Sequence, residues 1–138
     1  MSKMIVLLII LLSACGGAGA TAPKAERISC TVAYRATVEQ GIEQEETISF
    51  NEKDSEQSIA FADMVFHAVY SAGGADNERN LRIWVTDATD TVTQSALYQL
   101  PVNSGPQNQF IGGHGFTGLN YSYAPDSPAE LQFWCEVE

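Results

Sequence analysis

The chain has 138 residues, 17 of them acidic and 7 basic, for a formal net charge of -10 at neutral pH. That balance excludes a nucleic-acid binder built on a basic surface, because phosphate would be repelled. With 45% hydrophobic and 17% charged residues the chain is too apolar for a disordered acidic tail, and its length suits one domain with one core.

In chain order, Lys3 supplies one positive charge and an apolar run covers 4–12. This is the pattern of a signal-peptide core, too short to span a bilayer of about 30 Å as a helix. Leu12, Ser13, Ala14 and Cys15 follow. Their order resembles the lipobox of bacterial lipoproteins, in which small residues admit the signal peptidase and the cysteine becomes the lipidated first residue of the mature chain. The resemblance covers 1–15 only. It implies removal of 1–14, a diacylglycerol on Cys15, and attachment to a membrane through that lipid anchor. Gly16, in place of an aspartate after the cysteine, further implies the outer membrane of a Gram-negative cell envelope. The alternative is an ordinary secretory signal cut after Ala14, which leaves Cys15 as an exposed thiol. Residues 15–26 carry no large apolar side chain and read as a lipidated cysteine with a flexible tether. A single domain is expected over 27–138.

With Cys15 assigned to lipid, Cys30 and Cys135 remain, and an even pair in an exported chain reads as a disulfide. Over 28–38 the residues Ile28, Cys30, Val32, Tyr34, Ala36 and Val38 share one face of a strand; over 131–137 Leu131, Phe133, Cys135 and Val137 do the same. Both cysteines are therefore expected to face the core on the first and last strands, as a structural bond. Between them, turn residues recur at short intervals among runs rich in Val, Ile, Thr, Phe and Tyr, an all-β pattern. A hairpin turn is expected at 39–41, a strand ending at 48–50 and a charged loop over 51–56. Residues 58–70 are apolar on both faces and read as one central, doubly covered strand. A polar loop at 73–80, strands at 81–87 and 92–100 with a turn at 88–91, further strands at 107–111 and 117–124, where Leu119, Tyr121 and Tyr123 alternate, and a turn at 125–128 complete the count. About eight strands result, giving an all-β fold: a disulfide-closed β-sandwich, with a small β-barrel as the alternative.

The stretch 111–119, IGGHGFTGL, crowds four glycines around His114. It lacks the lysine and following helix of a phosphate cradle, so the glycines are expected to serve bulges and a wide turn, with His114 at the tip or packed on Phe116. His67 would face Asp63 on a helix, but on a strand the two lie about 13 Å apart. Two histidines and no free cysteine make too few ligands for zinc. Asp76, Asn77, Glu78, Asp87 and Asp90 are oxygen-rich loop residues without the spacing of a calcium-binding loop. No cofactor or metal and no catalytic residue is expected. Trp84 is out of phase with Leu81, Ile83 and Val85, and Trp134 with Phe133 and Cys135. Both are expected on faces away from the core. Arg82, Trp84, Trp134 and, beside them, His114 are accordingly the candidate binding residues, in the composition of an interaction patch or sugar platform.

These readings converge on a membrane-anchored envelope lipoprotein with a non-catalytic binding or accessory role, toward a basic protein or a glycan. One alternative is an acidic inhibitor of a basic enzyme such as lysozyme; small acidic lipoproteins with one disulfide include such inhibitors, and the resemblance lies in size, charge and anchor. The other is a calcium-dependent or carboxylate-based hydrolase of envelope polysaccharide.

Overall fold

The computed structural model describes residues 27–51, 55–71, 79–101, 106–110 and 112–138. The segments 1–14 and 15–26, with Cys15, lie outside these residues, as do Asp76, Asn77 and Glu78.

Eight strands run in chain order: β1 (Ile28–Arg35), β2 (Gln44–Phe50), β3 (Ser55–Ala60), β4 (Met64–Ser71), β5 (Asn80–Asp87), β6 (Val92–Gln99), β7 (Asn120–Tyr123) and β8 (Glu130–Val137). They pair antiparallel in two four-stranded sheets of order β2-β1-β8-β7 and β3-β4-β5-β6. The protein is an all-β sandwich, and no described residue is helical. Period-two alternation sends Ile28, Cys30, Val32, Leu131, Phe133 and Cys135 of one sheet inward against Met64, Phe66, Ala68, Leu81, Ile83 and Val85 of the other. Phe66 meets Phe133 across the interface at 5.3 Å between ring centroids. Burying each large apolar side chain contributes about 1.5–3 kcal/mol.

Cys30 and Cys135 are bonded as expected, fully buried and directly opposite in the β1/β8 register. The Cys135 carbonyl accepts from Phe116 N and its N–H donates to Thr117 Oγ1. Its backbone thus points away from β1, placing the cysteines at a narrow, non-hydrogen-bonded position of the ladder with Cα atoms 4.0 Å apart.

Four expectations about the strands and loops are corrected. The run 58–70 is a hairpin of β3 and β4: Phe61 N donates to Met64 O at 2.8 Å around Ala62 and Asp63. Tyr34 tightens this turn, stacking on Phe61 and donating its hydroxyl to Asp63 Oδ2 at 2.8 Å. The charged loop is also shorter than expected, since β3 begins at Ser55. Residues 106–110 form no strand, because Asn108 substitutes its side-chain amide for a backbone partner, accepting from Val137 N and donating to Val137 O. Residue 111 lies outside the described residues. Finally, β7 is only Asn120–Tyr123, and its tyrosines look outward while Ser122 is buried. Pairing fixes that phase, with Tyr121 opposite Gln132 and Tyr123 opposite Glu130, and β8 already commits Leu131 and Phe133 to the core.

Candidate functional site

The sandwich separates the two tryptophans. Trp84 stands on the outer face of the β3-β4-β5-β6 sheet and Trp134 on the outer face of the other, so they belong to two surfaces rather than one patch.

On the first surface Trp84 is half-buried between cross-strand partners His67 and Ser95. The His67 ring lies parallel to the indole at 4.9 Å between centroids, and the Arg82 guanidinium carbon is 4.8 Å from the indole centroid. His67 Nε2 also shares a 3.1 Å hydrogen bond with Thr86 Oγ1. Exposed Val92 and Leu97 flank the cluster. Arg82 and Trp84 therefore come together as the sequence suggests, with His67 as a third member. Its signal was available: in the two strands His67 has the outward phase between buried Phe66 and Ala68.

On the second surface Trp134 is half-buried, with the His114 ring edge-on to it at 5.3 Å. His114 thus packs on Trp134, while Phe116, the other expected neighbour, sits in the core against Tyr98. The same outer face carries Tyr121 and Tyr123, 45% and 55% exposed, which sequence alternation alone did not place there. Opposite Tyr123 in the β7/β8 register is Glu130, whose side chain is only 3% exposed. Arg35 Nε donates to Glu130 Oε1 at 2.9 Å, Arg35 Nη2 lies 2.6 Å from the same oxygen, and Gln132 Nε2 donates to it at 2.7 Å. Burial pushes the Glu130 carboxyl up, but hydrogen bonds from Gln132, Tyr123 and Arg35, with the Arg35 charge, hold it below its ordinary value. The hydrogen bond to Glu130, followed by burial, pushes the Tyr123 phenol up.

The glycine-rich segment builds the edge beside Trp134. Gly112, Gly113, Gly115 and Gly118 all have positive φ. At Gly115 a side chain would strike the Cys135 carbonyl oxygen, so the loop approaches β8 closely enough for Phe116 and Thr117 to pair with Cys135 only because no Cβ is present.

Asp87 Oδ1 accepts from Thr89 N, Thr89 Oγ1 and Thr91 N. The hydrogen bond from the Thr89 side chain, then that from Thr91 N, holds its carboxyl below the ordinary value. Asp90 takes φ 65° in the same turn. Among the described residues no three His, Cys, Asp or Glu side chains are grouped to hold an ion. A shallow groove of about 650 Å³ runs between the end of β6 and the following segment, lined by Tyr98, Leu100, Pro106 and Phe116 among others. Comparison of the chain with family models, with curated proteins and with solved structures finds no match.

Proposed function

We propose that this protein is a lipid-anchored component of the cell envelope that acts by binding, without catalysis. One observation carries the binding role: aromatic side chains stand outside a core that is complete without them, Trp84 packed by His67 and Arg82, Trp134 by His114, and Tyr123 opposite the Arg35–Glu130 pair. Rigid aromatic anchors beside polar groups suit recognition because little side-chain freedom remains to be lost on binding. The anchor rests on the lipobox residues Leu12, Ser13, Ala14 and Cys15. A second reading, an inhibitor of a basic enzyme, is favoured by the β1–β2 hairpin, where exposed Glu39, Glu43, Glu45 and Glu46 lie within 36–50 without a basic residue. Their field would steer a cationic partner and fade with salt.

The experiment has two arms. Wild-type protein should incorporate labelled palmitate and Cys15→Ser should not; absence of label in the wild type removes the anchor. In the second arm, detergent-solubilised protein captures ligands from envelope extract, compared with a variant carrying Trp84→Ala, Tyr121→Ala and Tyr123→Ala. Identical capture by both rejects binding through these faces.

A further inference from the structure

We propose that the outer face of the β2-β1-β8-β7 sheet is a platform for a neutral polysaccharide chain, with Tyr121, Tyr123 and Trp134 as its stacking rings. The proposal rests on the binding reading above and specifies its ligand class and face.

Three features carry it. First, the rings form a row. Tyr123 and Tyr121 are two residues apart on β7, about 7 Å along the strand. Trp134 continues the line on β8, diagonal to Tyr121 through the Tyr121–Gln132 pair, at about 7–8 Å. That spacing is on the scale of one to two pyranose rings, whose apolar C–H faces stack on aromatic faces.

Second, the ground beside the row is polar. On β1, Ser29 and Ala33 have outward phase but are 2% and 1% exposed, so their longer neighbours cover them and form the surface. Thr31 and Thr47 bring their hydroxyls to 3.3 Å of each other on the same face. Hydroxyls and the Gln132 amide offer donors and acceptors matched to sugar hydroxyls.

Third, the row is preorganised. Glu130 stands opposite Tyr123 in the β7/β8 register, Arg35 and Gln132 hold Glu130, and the His114 edge supports Trp134. The Arg35 charge is consumed by that pair, and the chain carries -10 overall. A polyanionic glycan is therefore repelled and an uncharged one is not. The Arg82–Trp84 face differs, because Leu97 and Val92 stand exposed beside it and suit an apolar protein surface instead.

The test uses the full chain in detergent, titrated with neutral β-1,4-linked hexasaccharides of glucose and of N-acetylglucosamine, with polygalacturonate as the anionic comparator. At least one neutral hexasaccharide should bind saturably and change tryptophan fluorescence, with little salt dependence. Tyr121→Ala and Tyr123→Ala should each weaken it about tenfold. Tyr123→Phe, which keeps the ring, should weaken it less, and Trp84→Ala should leave it unchanged. Both tyrosines are exposed, so these variants should fold, and melting curves verify this. The proposal is overturned if neither neutral sugar binds, if polygalacturonate binds better, or if Trp84→Ala abolishes sugar binding as fully as the tyrosine changes. Loss of sugar binding together with Trp84-dependent capture of an envelope protein would sink the glycan platform and leave the binding role standing. Loss of both would remove the binding role as well.

Discussion

The two outer faces use opposite means to hold an aromatic ring in place. On the β3-β4-β5-β6 sheet, Trp84 is held by flat contacts with His67 and exposed Arg82, weak forces that a partner could rearrange. On the other sheet, Tyr123 lies opposite a buried carboxylate, Glu130, that Arg35 and Gln132 already hold. A desolvated charge network has few alternatives, because losing any one donor leaves polar groups unpaired. One face is therefore adaptable and the other preset. The strictest consequences concern stability, where the preset face should be much the more sensitive.

The largest effect should come from the disulfide, which lies on the inner side of the preset sheet. Replacing Cys30 and Cys135 together by alanine opens a loop with sequence separation 105, worth about 4.7 kcal/mol in the chain-entropy model. Denaturant unfolding should report a loss of that order. Hydrogen exchange should locate the earliest loosening in β1 and β8, with β4 and β5 protected longer. Uniform loosening of both sheets would show that the two faces share one cooperative unit and that the contrast is confined to their surfaces.

How far this was legible in the sequence follows the same division. Cys30 and Cys135 declare themselves because both sit in unbroken period-two runs, and the same phase places Trp84 and Trp134 outside the core. The Phe61–Met64 turn was hidden: it has neither glycine nor proline, and what holds it is Tyr34, distant in sequence. An apolar strand that is doubly covered and a hairpin with apolar residues on both faces have the same pattern. The 107–111 stretch misled for a related reason, since Asn108 pairs with β8 through its side chain. The strand count agrees only because one run held two strands and another held none. Tyr121 and Tyr123 were seen to alternate, but which way they face depends on pairing with Glu130 and Gln132, and no local pattern encodes that. Nor could spacing reveal that the two tryptophans belong to different sheets.

Breaking the Arg35–Glu130 pair should have an effect of intermediate size. Arg35→Met removes the charge partner of a carboxylate that is nearly inaccessible, and should cost about 3 kcal/mol at neutral pH. The pH dependence distinguishes this from lost packing. In the wild type the folded pKa of Glu130 is depressed, so its stabilisation is present above the ordinary carboxylate pKa and is lost as pH falls through the lowered folded value. In Arg35→Met burial dominates and the pKa should rise above the ordinary value, so mild acid should restore part of the lost stability. Urea titrations at neutral and mildly acidic pH measure both slopes. An Arg35→Met protein that merely weakens in parallel with the wild type would mean that Glu130 is not the group being served.

The smallest effect is expected from Arg82. Its guanidinium lies over Trp84, but the side chain is exposed, so the cation–π contact should contribute only about 0.5–1 kcal/mol. A double-mutant cycle of Arg82→Ala with Trp84→Phe isolates that coupling from the separate cost of changing the indole. Arg82→Lys, which keeps the charge and loses the planar contact, should fall between wild type and Arg82→Ala. Because Arg82 has water as an alternative partner, its loss strands no buried group, and the coupling should shrink with salt while that of Arg35 with Glu130 persists. If the Arg82–Trp84 coupling instead equals the Arg35–Glu130 coupling and resists salt, the indole face is as rigidly built as the tyrosine face. Adaptability would then have to be sought away from both, at the hairpin tip over 38–42, where Val38 and Ile42 stand 50% and 45% exposed.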